Sequence, residues 1–350
     1  MTYAQSGHAA FLYRTQQEYL DSLLPFISDA ANADHAVLVA SPAPKLAVLA
    51  EGLGQLAANV AMTDMIEVGR NPSRILGEVL STFVDKHADQ PVLIVGESMW
   101  PSRSEIEYPA CVQHEVLLNR AFTRRDVSVV CAYHVAQRER EVIADAHRTH
   151  PVLWEGGMFQ LDNAAYAPEA TLARYNLPLS TDAAAVRYTA RNLGDLGGAR
   201  AFAGAYAQWF DLSPEQTADL QLIASELATA SLTHVGGTCR LALWRHDGHV
   251  VCEARDDGSL DDPLAGRRAY GSDSDRGRGL YVVNAVADLV RTFTTADETT
   301  IHAYLRLKGH HDGSFGRRRL GHCQQRGLYS AVGSRMACAA RRECAAAGAR

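Results

Sequence analysis

The chain has 350 residues, 47% of them hydrophobic and 21% charged, with a formal net charge of −6. That is room for two domains of ordinary size, and the balance is that of a globular protein. No run of about 18 apolar residues occurs, so no membrane span is expected, and the first residues lack the basic-then-apolar pattern of a signal peptide. Seven scattered cysteines without a CxxC pair argue against a disulfide framework or a zinc site, and for the cytoplasm. Residues 309–350 carry eight Arg and two acids, a charge of +6, so the −6 total leaves −12 on residues 1–308. An acidic body of this kind argues against direct nucleic-acid binding.

In the first half, short apolar runs alternate with amphipathic stretches. Strands are expected at 10–13, 36–40, 60–65, 92–96 and 127–133. Helices are expected at 17–30, 45–56, 71–83 (with Pro72 in the first turn), 104–122 and 138–147. Alternation of this type implies an α/β domain, residues 1–155, built on a mainly parallel sheet. No strand is followed by GxxxxGK[ST], so the phosphate-binding P-loop class is excluded. On the helix at 104–122, Cys111, His114, Glu115, Leu118 and Asn119 share one face by their i, i+3, i+4 spacing. Buried polar groups need partners, from the protein or from a ligand. The face therefore serves as structural ties, as a sensing pocket or, least favoured, as a metal site. No second histidine stands at ligand spacing on this helix, and no metal is expected. Ligands of open α/β sheets sit beyond the carboxyl ends of strands, where Gly96-Glu97 falls.

Several pieces of this half occur together in an order that resembles the MEDS family of sensory domains. They are His8, Leu12-Tyr13-Arg14, Gly69-Arg70-Asn71-Pro72, Gly96-Glu97, Trp100-Pro101, Cys111, His114-Glu115, Leu118-Asn119 and Thr149-His150-Pro151. The resemblance implies a sensor of a small, hydrocarbon-like ligand, with Cys111, His114, Glu115 and Asn119 as candidate sensing residues.

Residues 156–180 hold Gly156-Gly157, Pro168 and Pro178 without clear periodicity and read as an interdomain linker. Beyond them a second domain, 181–308, is expected. A strand at 185–190 leads to an Ala-rich helix at 193–210. Ser213, Pro214 and Gln216 form a capping box that opens a helix at 215–233. Strands at 240–244 and 249–254 flank Asp247-Gly248, a hairpin signal. A polar loop at 259–276 precedes a helix at 277–290 and closing strands at 292–294 and 299–307. The order implies helices on one face of a mixed sheet. Residues 309–350 show no sustained periodicity and read as a disordered tail.

Three motifs in this half are spaced about 20–30 residues apart: Ser225-Glu226-Leu227 with His234, Asp256-Asp257-Gly258, and Gly277-Arg278-Gly279-Leu280. Together they resemble the GHKL (Bergerat) ATPase fold of histidine-kinase catalytic domains and anti-sigma-factor serine kinases. The resemblance spans residues 179–308 and implies ATP as cofactor. In it Glu226 polarises the attacking hydroxyl or water, and Asp256 and Gly258 receive the adenine. The Gly277–Leu280 turn takes the phosphates, as bare N–H groups at a helix start can; His234 completes the pocket, and residues 259–276 form its lid. The family's Mg²⁺-holding asparagine falls on Ala230 and its basic residue on Thr233. An alanine has no oxygen for Mg²⁺, so two readings follow. One is a serine/threonine kinase acting on a sigma factor or its antagonist, which the family also allows as a homodimer. The other is a non-catalytic, nucleotide-gated binding switch. The helix at 193–210 holds no phospho-acceptor histidine, against an ordinary autophosphorylating kinase.

Overall fold

Period-two alternation in the first half directs its strands into two apolar layers. The computed structural model describes residues 7–100, 103–123, 125–234, 237–268 and 277–307. The described residues divide into two units, one of residues up to 178 together with 261–268, the other of 179–260 and 277–307.

The first unit opens with β1 (Gly7–Tyr13), α1 (Gln16–Asn32), β2 (Ala36–Ser41), α2 (Ala43–Leu53) and β3 (Val60–Asp64). Short helices α3 (Met65–Val68) and α4 (Pro72–Arg74) follow, then a π-helical stretch Ile75–Ser81 and α5 (Thr82–Lys86). Next come β4 (Val92–Gly96), α6 (Tyr108–Ala121), β5 (Val127–His134), α7 (Arg140–Thr149), β6 (Val152–Glu155), β7 (Met158–Gln160) and α8 (Pro168–Arg174). The sheet order is β3-β2-β4-β5-β1-β6-β7, parallel except for β7. On one face Ala10, Leu12, Leu38, Ile94, Val129 and Cys131 pack with α6 residues Cys111 and Leu118. On the other, Phe11, Val39, Leu93 and Val130 pack with Tyr19, Leu23 and Ile27 of α1 and Leu49 of α2. Alternate residues of the strands from β3 to β6 thus serve opposite layers, which is what burial on both faces requires.

Two boundaries differ from the sequence reading. The helix expected at 104–122 starts at Tyr108, because Pro109 is tolerated only in a first turn. Ahead of it Glu107 closes a turn by accepting from the Ser104 amide at 2.8 Å. The expected linker at 156–180 instead carries β7 and α8. Asn163 ties it down by donating to the His147 and His150 carbonyls at 2.6 and 2.7 Å, and Gln113 of α6 donates to the Tyr175 carbonyl at 3.0 Å. These are long-range side-chain bonds, invisible to periodicity.

The second unit comprises β8 (Val186–Ala190), α9 (Leu196–Trp209), α10 (Pro214–His234), β9 (Cys239–His246), β10 (His249–Asp256), α11 (Arg278–Val286), β11 (Leu289–Thr294) and β12 (Thr299–Arg306). Its sheet, β11-β12-β10-β9-β8, is antiparallel throughout rather than mixed. The capping box is present in both directions: Gln216 N donates to Ser213 Oγ at 3.3 Å and Ser213 N to Gln216 Oε1 at 3.2 Å. Asp247 and Gly248 both take positive φ (42° and 71°), as a tight two-residue hairpin demands. The helix expected through 290 stops at Val286, since Asp288 N donates to the Tyr304 carbonyl at 2.9 Å and draws the chain into the sheet. No described helix is long and apolar enough to cross a membrane. The tail 309–350 lies outside the described residues, as does part of the expected lid at 259–276; residues 261–268 of that lid group with the first unit.

Candidate functional site

In the second unit two of the three sequence motifs, those of Glu226 and Gly279, meet. α10 supplies Glu226, half-buried on the side of the helix that α11 packs against. At the head of α11, a Cβ placed on Gly279 would lie 3.0 Å from Glu226 Oε2 and 3.3 Å from the Glu226 carbonyl oxygen. A side chain there would make a contact tighter than most, so glycine eases the approach of the turn to α10. Gly277 is the N-cap of α11 and makes no side-chain cap bond, Arg278 is exposed at its first position, and Leu280 is buried. A helix start carries a positive end suited to an anion.

Asp256 ends β10 and is buried; its Oδ1 accepts from the Gly258 amide at 3.1 Å. The Gly258 carbonyl accepts from Thr299 Oγ1 at 2.7 Å, and Thr294 Oγ1 accepts from the Leu260 amide at 2.9 Å. The turn is therefore held rigidly from β11 and β12. Burial pushes the Cys239 thiol up to about 11, with the Asp256 charge acting in the same direction and a hydrogen bond with Ser231 opposing. Ser231 is thus engaged with Cys239. Thr229 and Thr233 spend their hydroxyls on α10 itself, donating to the Ser225 and Thr229 carbonyls at 2.7 Å each. His234 is the last residue of α10, and its side chain lies outside the described residues.

In the first unit the candidate residues of α6 part company. Cys111 is fully buried in the apolar layer with Val112 and Leu117. His114 is buried with no hydrogen-bond partner at Nδ1, and burial pushes its pKa down to about 4. Glu115 and Asn119 instead meet residues from elsewhere. His8 of β1 places Nε2 3.3 Å from Glu115 Oε2 and 3.3 Å from Cys131 Sγ of β5. His150, directly after α7, places Nε2 3.3 Å from the same Glu115 Oε2. None of the four is more than 4% exposed. Asn119 Oδ1 faces His8 Nδ1 at 3.2 Å. β1 lies between β5 and β6, so its even-numbered residues share a face with Cys131 and meet α6 there.

A second polar group lies at the carboxyl ends of the strands, where Glu97 was expected. Glu97, 1% exposed, accepts from Lys45 Nζ at 2.6 Å and from Arg138 at 3.2 Å. Lys45 also donates to the Tyr13 hydroxyl. Burial raises the Glu97 pKa while the two cations oppose it. Lys45 and Arg138 were not singled out in the sequence, where their only local signal was a position a few residues past strand ends; Tyr13, the last residue of β1, was noted only as part of Leu12-Tyr13-Arg14.

Two family models match separate parts of the chain. Residues 7–151 match the family model of the methanogen/methylotroph, DcmR sensory domain (MEDS). Residues 189–305 match the histidine kinase-like ATPase domain. Among solved structures, the crystal structure of the SiaB-SiaC complex from Pseudomonas aeruginosa is similar at 13% identity over 34% of this chain and 88% of that chain, with a TM-score of 0.27. No curated protein matches the chain.

Proposed function

We propose, from a chain that carries a MEDS sensory domain at residues 7–151 followed by a histidine kinase-like ATPase domain at residues 189–305, a cytoplasmic signalling regulator in which detection of a small molecule governs an ATP-binding output domain. The observation that carries the nucleotide reading is the glycine turn that opens α11 beside Glu226, where a Cβ on Gly279 would lie 3.0 Å from the Glu226 carboxylate. ATP fits these residues: Asp256 and Gly258 would hold the adenine, and Gly277 to Leu280 the phosphates. Mg²⁺ fits them poorly, since α10 presents a methyl group at Ala230 where a metal-holding amide is expected.

The output is a protein partner of the anti-sigma type, a sigma factor or its antagonist, as the resemblance of residues 179–308 implies. In the catalytic form of this reading, Glu226 would accept the proton of the partner's serine or threonine hydroxyl while that oxygen bonds the γ-phosphorus and ADP departs. Ala230 favours the second form, in which bound nucleotide gates partner docking without chemistry.

Calorimetric titration with ATP, with and without Mg²⁺, tests both. Binding that requires Mg²⁺ supports the kinase form, and metal-independent binding supports the switch. No binding at high micromolar ATP overturns the nucleotide reading. The Ala230→Asn variant adds a second readout: restored phosphoryl transfer would show that only the metal ligand is lacking.

A further inference from the structure

The buried cluster of the sensory domain has the form of a closed metal site. One donor atom from each of His8, Glu115, Cys131 and His150 lies within 4.8 Å of every other. Three of these separations are 3.3 Å. A tetrahedron with metal–nitrogen and metal–oxygen bonds of about 2.0 Å has edges of about 3.3 Å, slightly longer where sulfur takes part.

The orientation of each donor is fixed from outside the cluster. Asn119 Nδ2 donates to the Thr149 carbonyl at 2.8 Å, so its Oδ1 faces His8 and receives the Nδ1 proton. His150 Nδ1 gives its proton to the Ala146 carbonyl at 2.8 Å. Glu115 Oε1 accepts from Ser98 Oγ. Metal-bound histidines and carboxylates are held in this way, by outer partners that leave the inner atom bare. Two lone-pair-bearing Nε2 atoms therefore confront Glu115 Oε2, and both Oε2 and His150 Nε2 lack a hydrogen-bond partner despite complete burial. A buried acceptor facing acceptors is costly, and a cation at the centre removes that cost.

We propose that His8, Glu115, Cys131 and His150 bind one divalent transition-metal ion, zinc by the character of the ligand set. Two imidazoles, one carboxylate and one thiolate suit a borderline-soft ion. The two anionic ligands neutralise its charge, as a buried site requires. On binding, the Cys131 S–H bond breaks, the electron pair stays on sulfur to form the metal–sulfur bond, and the proton leaves to solvent. The expected absence of a metal was argued from the histidine spacing on α6 and the lack of a CxxC pair; the two nitrogen ligands come from β1 and the end of α7, and the sulfur from β5.

The test uses the full chain without nucleotide, so that its outcome is independent of ATP. Protein stripped with a chelator and desalted is titrated with Zn²⁺, and bound metal is counted by elemental analysis. Co²⁺ is then substituted as a spectroscopic probe. One equivalent of Zn²⁺, a thiolate-to-cobalt charge-transfer band and intense tetrahedral d–d bands are expected. Cys131→Ser should abolish the charge-transfer band, and Asn119→Ala, which leaves all four ligands, should weaken affinity by about 10–100-fold. A folded wild-type protein that takes up no Zn²⁺ or Co²⁺ overturns the proposal. So does a cobalt charge-transfer band that survives in Cys131→Ser.

Discussion

Replacing Gly279 by alanine tests whether the turn of α11 is a phosphate cradle. The added Cβ meets the Glu226 carboxylate at 3.0 Å and the Glu226 carbonyl oxygen at 3.3 Å. The carboxylate can swing aside, but the carbonyl belongs to the backbone of α10 and cannot. Overpacking of this order costs about 1–3 kcal/mol. If about 1.4 kcal/mol of that falls on the nucleotide-bound form, ATP affinity drops about tenfold. Calorimetry reads the affinity, and thermal melting without nucleotide reads the cost to the fold alone. Glu226→Ala removes the nearer contact and keeps the farther one, so a double-mutant cycle should show coupling of about 0.5–1 kcal/mol between the two positions. Unchanged ATP affinity and melting temperature in Gly279→Ala would refute the close approach and, with it, the cradle.

Glycines in α9 give an opposed pair. Gly197→Ala meets nothing within 4 Å and should stabilise the fold by about 0.5–1 kcal/mol. Gly198→Ala would press a Cβ to 2.2 Å from the Tyr188 hydroxyl, whose ring is stacked on Phe202, and should destabilise it by about 1–3 kcal/mol; equal melting temperatures would contradict both. Glu97→Ala removes the carboxylate shared by Lys45 and Arg138, leaving them the neutral Tyr13 hydroxyl and Met99 carbonyl, and should cost about 3–5 kcal/mol in denaturant unfolding; a change under about 0.5 kcal/mol would mean the pairs contribute nothing. Glu253 is pushed up by burial, but hydrogen bonds from His302 at 2.8 Å and Thr181 at 2.7 Å prevail and hold it below its ordinary value of 4.5. A depressed acid stabilises above its unfolded pKa, and that contribution is lost as pH falls through the folded value. Melting temperatures between about pH 6 and pH 3 should therefore fall more steeply for the wild type than for Glu253→Gln; parallel curves would remove Glu253 from the account.

Much of the fold could be read before any coordinates, because its signals are local. Val37 and Val39 face one layer and Leu38 and Ala40 the other, a pattern written directly in the sequence. The Ser213–Gln216 box and the Asp247-Gly248 turn are equally local. The π-helical stretch Ile75–Ser81 and the ordering of residues 158–174 were not legible, since both depend on packing rather than period. Within the sensory domain the shared face of Glu115 and Asn119 followed from helical spacing. Their partners did not, because His8 and His150 reach them only through a strand order that no short window encodes. In the ATPase domain the order of motifs located Glu226 and Gly279, but only the packing of α10 on α11 showed how near they stand.

The insertion of β1 between β5 and β6 also governs how this protein is made. β1 leaves the ribosome first, yet its pairing partners begin at Val127 and Val152. More than a hundred residues must be synthesised before the middle of the sheet can close, so the domain has a high contact order and folds late relative to its own synthesis. Until then the apolar strand Ala9–Tyr13 has neither neighbour and is a natural client for a chaperone. A translation arrested short of Val152 should leave an aggregation-prone nascent chain, whereas one carried far enough beyond Gln160 to release β6 and β7 from the ribosome should resist protease throughout the sheet.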